Sequence, residues 1–363
     1  MTESRLFEPI SMRALTARNR LWVAPMCQYS AVDGVIGDWH LVHLGQFAIG
    51  GAGVVMAEAT GVSAEGRITD GCPGIYNDEQ QDAWAPVAAF IRAHGALAGI
   101  QLAHAGRKAS TYTPFSGRHG SVPEDDGGWE TVAPSAVAHE GLAVPRELTE
   151  AGIDDVVEAF RDAARRAIAA GFDLVEVHAA HGYLLHEFLS PLSNHRTDAW
   201  GGTLRNRARI ILDIVRAVRD EVGAEVPVLV RLSARDWHEG GLTPEDVGEV
   251  AGWAVEAGAD LIDLTTGGVT HSTEPGEQGY QLPDDVIVKA ISGARTAAVG
   301  RIDSAALAEE VVATGAADVV MSAREWLRDP HYALRAADEL GVPYRELWPL
   351  QYERASRLRR VAS

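Results

Sequence analysis

The chain has 363 residues, of which 46% are hydrophobic, enough for one large barrel-type core or for two ordinary domains. It contains 32 Lys and Arg residues against 51 Asp and Glu residues, a formal net charge of −19. This charge argues against a nucleic-acid partner and an anionic membrane surface, although a local basic site can still hold a phosphate. Cys27 and Cys72 are the two cysteines of the chain, which excludes a disulfide framework or a four-cysteine metal cluster within it.

The start of the sequence and its apolar runs bear on the compartment. The start, MTESRLFEPISMRAL, lacks the apolar core of a signal peptide, and no apolar run approaches ~18 residues. We therefore expect a cytoplasmic protein with no membrane partner.

In chain order, eight apolar segments are predicted to be strands, and amphipathic helices such as 203–223 and 304–315 alternate with them. Three of these segments share a pattern in which glycine ends a helix and an apolar strand follows, as at the αβ junctions of a parallel sheet. Such βα units favour a closed (β/α)8 TIM barrel, with a doubly wound open sheet as the alternative. The predicted strands are LWVAPM (21–26), GVVMAEA (53–59), LAGIQLAH (97–104), AGFDLVEV (170–177), VPVLVRLS (226–233), AGADLIDL (257–264), TAAVGRI (296–302) and TGAADVVM (314–321).

One segment interrupts this alternation. Residues 105–148 are rich in Gly, Pro, Ser and charged residues and are too long for a plain βα loop. We interpret them as a lid or capping subdomain inserted after strand three, on the face where barrel active sites lie. A shorter glycine-rich loop, 265–281, follows strand six on the same face.

Polar residues at the carboxyl ends of the predicted strands should surround one mouth of the barrel. Arg231 lies within an apolar strand, where its permanent charge needs a partner. The partner is either Glu58 or Asp263 in an ion pair, or an anion that forms during the reaction, such as a reduced cofactor ring. The residues expected at this mouth are Cys27, Glu58, Gln101, His104, His178, His181, Arg231, Thr265 and Arg324.

Arg324 ends the eighth strand, where a helix begins. Many barrels hold a phosphate after strands seven and eight, using backbone N–H groups, the helix dipole and a cation. Ala305 and Ala323 stand where glycine would be expected for a close backbone approach. The sequence still predicts a phosphate site here.

The stretch HAAHGYLLHEFLSP follows the fourth predicted strand and allows three interpretations. His178 and His181 form structural hydrogen bonds, or they bind a metal ion. A metal ion needs three or four ligands, and His186 would be the third. Alternatively, both imidazoles donate hydrogen bonds to one substrate oxygen while Tyr183, protonated near neutral pH, supplies a proton.

These residues, read with their surroundings, resemble the old yellow enzyme family of FMN-dependent ene-reductases. The resemblance lies in HAAHGYLLHEFLSPLSNHRTDAWGGTLRNRAR, in APMCQYS at strand one, in EAT followed by GRITD, and in IQLAHAGRKAS at strand three. The cysteine of APMCQYS and the terminal QYER are similar to the bacterial subgroup called thermophilic-like. The resemblance covers essentially the whole chain. It implies one FMN-binding TIM barrel over residues 1–363, with an N-terminal hairpin and no metal.

The resemblance also implies a role for individual residues. Arg231 would stabilise the anionic reduced ring, His178 and His181 would bind the substrate oxygen, and Tyr183 would be the acid. The family usually has Gly-Arg at the phosphate, whereas this chain has Ala323 before Arg324. The residues implied along the flavin are Ala24, Pro25, Met26, Cys27, Ala59, Gln101, Arg231, Ala323 and Arg324, and those implied at the substrate are Tyr29, His178, His181 and Arg354.

The implied activity is an NAD(P)H-dependent reduction of FMN, followed by hydride delivery to the β carbon of an electron-poor alkene while Tyr183 protonates the α carbon. NADPH or NADH is the expected reductant. Arg354, in the C-terminal segment 342–363, would reach a neighbouring subunit, so we expect a homodimer or homotetramer. A metal-dependent hydrolase and a non-catalytic flavin-binding protein remain as alternatives, whereas two cysteines exclude the iron–sulfur dienoyl-CoA reductases.

Overall fold

The structure is a computed structural model that describes residues 4–271, 276–343 and 347–355. Eight parallel strands form a closed barrel in the order β3, β4, β5, β8, β9, β10, β11, β12, which overlap all eight predicted segments. The open-sheet alternative is therefore wrong. The barrel strands are Leu21–Val23 (β3), Val54–Gly61 (β4), Leu97–Ala103 (β5), Leu174–Ala179 (β8), Val228–Ser233 (β9), Leu261–Thr265 (β10), Thr296–Ala298 (β11) and Val319–Ser322 (β12).

Helices surround the barrel, and several begin at a side-chain cap. Thr203 and Ser304, for example, each accept a hydrogen bond from a backbone N–H in the first turn of the helix that follows. Ala305 is thereby the first residue of a helix, which explains why glycine is not required there. The helices are Asp38–Ile49 (α1), Asp78–Ala93 (α2), Glu150–Ala169 (α3), Leu184–Leu189 (α4), Leu204–Val222 (α5), Pro244–Ala257 (α6), Leu282–Ser292 (α7), Ala305–Ala313 (α8), Arg324–Arg328 (α9) and Tyr332–Glu339 (α10).

The core has two parts. The larger lies between the strands and the helices, and the smaller lies inside the barrel. Strands Ile10–Met12 (β1) and Leu15–Ala17 (β2) form an antiparallel hairpin whose apolar side chains join the inner core. Because these residues pack against the inward side chains at the amino ends of the strands, the hairpin closes the bottom of the barrel.

The capping subdomain occupies the position predicted for it. Residues 105–148 follow β5 and include the paired strands Val132–Ala133 (β6) and Arg146–Glu147 (β7). The buried guanidinium of Arg196 binds the backbone carbonyls of Pro134 and Leu148, which fastens the end of this subdomain to the barrel. Among the described residues, no helix combines the length and apolar composition needed to cross a bilayer.

Candidate active site

A cavity of about 220 Å³ opens at the carboxyl ends of the strands. Its walls come from the residues after β3, from the inward side chains of β9 and β10, and from the loops after β11 and β12. Arg231 and Thr265 line its inner part, and Arg301 and Arg324 line its outer end. The rim that the sequence predicted to carry function is therefore the rim that contains this cavity.

His178 and His181 face each other across a short turn. The Nδ1 atom of His181 lies 3.4 Å from Nε2 of His178, and its Nε2 atom lies 3.1 Å from the Thr265 hydroxyl. Burial, followed by the charge of Arg231, lowers the pKa of both imidazoles well below the usual range. Both rings are therefore neutral at physiological pH, and each has one N–H to donate.

The turn that carries His181 has a strained backbone and several supporting bonds. His181 itself has φ +60°, and its N–H donates to the Ser233 hydroxyl at 3.0 Å. Gly182 passes so close to the Gly268 carbonyl that an added Cβ would lie 2.0 Å from its oxygen. This position therefore requires glycine.

Lys108 is a functional candidate that the sequence analysis missed. Its ammonium donates to the carbonyls of His181 at 2.8 Å and Gly268 at 3.1 Å, and it lies 5.0 Å from the centre of the Tyr183 ring. Burial lowers its pKa to about 8. The motif IQLAHAGRKAS carries the family resemblance but does not indicate a role for this lysine, which the folded capping subdomain brings to the mouth.

Tyr183 completes this group. Its ring lies edge-on to that of His178, with the ring centres 5.2 Å apart. Burial raises the pKa of its phenol well above the usual range, so the hydroxyl stays protonated. The structure thus brings His178, His181 and Tyr183 together as predicted.

Arg231 forms an ion pair, yet one of its buried N–H donors makes no hydrogen bond to any described residue. Its Nε atom lies 2.9 Å from the Asp263 carboxylate on the next strand, so the ion-pair alternative is present. However, the two groups are not aligned for a hydrogen bond, and Nε has no such partner among the described residues. Below it, Gln101 donates to the buried carboxyl of Glu176 at 2.7 Å, and burial raises the pKa of that carboxyl.

Five of the nine residues expected at the mouth do not line this cavity, namely Cys27, Glu58, Gln101, His104 and His178. Of these, Glu58 and His104 make their contacts elsewhere. A β-bulge shifts the pairing of β4 with β5 between Ala57 and Ala59, and the Glu58 carboxylate accepts the Gln28 N–H at 2.9 Å and lies 3.3 Å from His40 of α1. His104 lines a separate cavity beside α3. The prediction was wrong for Glu58 and His104. The position of a residue in a strand does not reveal a bulge, as at Glu58, or the direction that the chain takes after the strand ends, as at His104.

The segment after β3 lies at the cavity wall. Ala24 and Pro25 line the cavity, and partly buried Met26, Cys27 and Tyr29 follow. Burial, followed by the Glu58 carboxylate, raises the pKa of the Cys27 thiol well above its usual range. Cys27 is therefore a neutral thiol.

The comparisons with known proteins agree with this architecture. A model of the NADH:flavin oxidoreductase / NADH oxidase family matches residues 5–342. The chain belongs to this family. An NADPH dehydrogenase from Geobacillus sp. (strain WCH70) is 42% identical over 358 residues, which cover 98% of this chain and 99% of the relative. An NADPH dehydrogenase from Listeria innocua is also 42% identical, over 97% of this chain and 99% of its own.

Solved structures of the old yellow enzyme type are similar as well. Morphinone reductase superposes with a TM-score of 0.79 at 28% identity, covering 96% of this chain and 94% of its own. The old yellow enzyme homologue from Zymomonas mobilis gives a TM-score of 0.76 at 27% identity, covering 95% and 96%. This family member is an NAD(P)H-dependent flavin oxidoreductase with FMN as its cofactor.

The cavity of this flavin oxidoreductase fits such a cofactor. Arg231 Nε and Gln281 Oε1 are buried at its wall and have no hydrogen-bond partner among the described residues. Gln281 thus offers a free acceptor, and Arg231 offers a guanidinium already ion-paired with Asp263, to a ring that carries carbonyl and N–H groups. At the outer end, Ala323 and the exposed Arg324 line the cavity, and Arg324 provides a positive charge there.

The metal-site interpretation finds no support in the described ranges. His186 turns away from His178 and His181 and binds the buried Asp236 carboxylate at 2.9 Å, while its Nδ1 accepts the Gly182 N–H. No three His, Cys, Asp or Glu side chains of the described residues are arranged to hold a metal ion. Arg354 is exposed near the end of the described chain.

Proposed function

We propose that this flavin oxidoreductase is an ene-reductase that acts on activated alkenes such as enones, enals, maleimides and nitroalkenes. The observation that carries the proposal is the contact of two neutral histidines with a protonated tyrosine at one mouth. Hydride transfer to flavin alone would need no proton donor. Bound FMN, reduced by NAD(P)H, would supply the hydride for the β carbon.

His178 and His181 would bind the carbonyl or nitro oxygen of the substrate. In the free protein their mutual contact of 3.4 Å is long for a hydrogen bond, so the N–H groups can turn to a better acceptor at little cost. As negative charge builds on that oxygen, two preorganised donors in a buried site stabilise it. One such donor is typically worth ~3 kcal/mol of barrier.

Tyr183 would donate a proton to the α carbon. Its raised pKa keeps the hydroxyl protonated at all physiological pH values. After the proton is transferred, the nearby Lys108 ammonium would stabilise the negative charge of the phenolate. Tyr29, which is partly buried after β3, would close over the substrate.

The remaining residues would hold FMN. Arg231 would lie against the ring and stabilise its negative charge, and Arg324 with the backbone of Ala323 would bind the phosphate. Support comes from the single cavity that these three residues share with Ala24 and Pro25. The other residues proposed along the ring are Met26, Cys27, Ala59 and Gln101.

The reductant and the assembly are also proposals. Relatives named NADPH dehydrogenase favour NADPH as the reductant, although morphinone reductase has been solved with tetrahydroNAD. We propose a homodimer or homotetramer in which Arg354 reaches a neighbouring site, because its side chain is exposed on its own subunit.

One spectroscopic experiment tests the proposal. Purified protein should be yellow, should bleach on adding NADPH under argon, and should regain its colour when cyclohexenone is added. A protein that bleaches but is reoxidised only by air would be a flavin reductase without ene-reductase activity. A colourless protein with stoichiometric zinc would favour the hydrolase instead.

A further inference from the structure

Arg301 has an unusual backbone for a residue with a side chain. It follows β11 with φ +56°, directly after Gly300 at φ +101°. An arginine in the left-handed region is costly, and such outliers concentrate at functional sites. No role for this residue follows from the sequence alone, although Arg301 lines the outer end of the cavity.

The charges at this end of the cavity are unevenly matched. Arg301 and Arg324 make no ion pair or hydrogen bond within the described parts of the chain, although both line the cavity. The Glu325 carboxylate beside them is already paired with Arg328 at 3.2 Å and with Arg335 at 2.6 Å. Arg301 and Arg324 thus share one opening with the Asp303 carboxylate, and none of the three forms an ion pair among the described residues. The net charge of the chain is −19.

The backbone at this end offers little to an anion. Ala323 carries a Cβ where a glycine would let the chain approach closely, and α9 has only five residues. A helix this short has a small dipole. Side-chain charge must therefore supply what backbone N–H groups supply in a glycine-rich phosphate loop.

We propose that Arg301 binds the FMN phosphate together with Arg324, as a pair of guanidiniums that select the dianionic monophosphate ester. The inference rests on the FMN site proposed above. Each guanidinium presents two N–H groups in a plane that matches two phosphate oxygens. The Asp303 carboxylate lines the same end of the cavity, but it accepts a hydrogen bond from Gln278 instead of pairing with either arginine.

The test measures flavin release from the holoenzyme. Enzyme carrying FMN is diluted, and the gain of free-flavin fluorescence gives the dissociation rate in low and high NaCl. The variants are Arg301→Gly, which relieves the backbone while removing the charge, Arg301→Ala and Arg301→Lys. Arg118→Ala, an exposed arginine of the capping subdomain, is the control. The same rates are measured for enzyme in which riboflavin replaces FMN.

We expect Arg301→Ala and Arg301→Gly to release FMN about tenfold faster at low salt, with weaker salt dependence, and Arg301→Lys to be intermediate. Riboflavin release should not change, because riboflavin lacks the phosphate. FMN release at the wild-type rate, or an equal effect on both flavins, would overturn the proposal. A protein that holds no FMN at all would instead refute the proposed function.

Discussion

Replacing Tyr183 with Phe removes one oxygen atom and should separate the two halves of the reaction. Positioned general acids typically contribute about 10²–10⁴ in rate, or roughly 3–5 kcal/mol of barrier. Lys108 Nζ lies 5.0 Å from the centre of the ring, and at that distance an effective dielectric constant of ~20 gives roughly 3 kcal/mol of attraction for a phenolate. The variant loses this stabilisation with the proton, so alkene reduction should slow by about 10²–10³.

Stopped-flow spectroscopy measures both halves separately. NADPH bleaching of the flavin should keep its wild-type rate in Tyr183→Phe, whereas reoxidation by cyclohexenone should slow. Burial raises the pKa of Tyr183, so its hydroxyl stays protonated, but burial lowers the pKa of Lys108 to about 8. Reoxidation of the wild type should therefore keep its rate below about pH 7 and slow as pH rises through 8 and the ammonium loses its charge. Tyr112→Phe, in the capping subdomain, is the control. Wild-type rates for both halves would refute the role of Tyr183 as the acid.

Three further predictions follow from the site and its supports. Replacing His178 with Ala should weaken binding of phenolic ligands about 10–100-fold, and unchanged absorbance titrations would remove it from the substrate site. Gly182→Ala should lower the free energy of unfolding by about 2–4 kcal/mol, because the added Cβ would clash with the backbone of Gly268. The control Gly202→Ala, whose Cβ would meet open space, should lose about 1 kcal/mol. Equal losses in urea unfolding would contradict this. Burial raises the pKa of Glu187 to about 8 in the folded protein, above its unfolded value, so the stability it contributes is present below about pH 4.5 and is lost as pH rises through 8. Glu187→Gln should remove this loss, gaining up to about 4 kcal/mol on the wild type between pH 5 and 8.5 in urea unfolding, and parallel pH profiles would exclude it.

The fold was predictable because parallel barrel strands are buried on both faces. Segments such as 170–177 and 257–264 each contain a glycine that ends a helix, followed by a largely apolar run, which leaves few other structures open to them. The same reasoning predicted the cluster of His178, His181 and Tyr183, since all three lie at or just after the carboxyl end of one strand.

Residues whose position depends on contacts distant in sequence were not predictable. The bulge at Glu58 depends on how β4 pairs with β5, and no sequence pattern near Glu58 indicates that β4 has an extra residue there. Lys108 reaches the mouth only because the capping subdomain folds back over β8 and the loop after β10. Arg301 resembles a surface arginine until its left-handed backbone is known.

The hairpin formed by β1 and β2 has a kinetic consequence. It seals the floor of the barrel with Ile10, Met12 and Ala17, so a ring lying across the cavity has one accessible side, toward the carboxyl ends. An electron donor and an electron acceptor would then compete for the same entrance and could not occupy it together. Steady-state rates should obey a double-displacement law with parallel reciprocal plots, and excess nicotinamide nucleotide should inhibit its own oxidation.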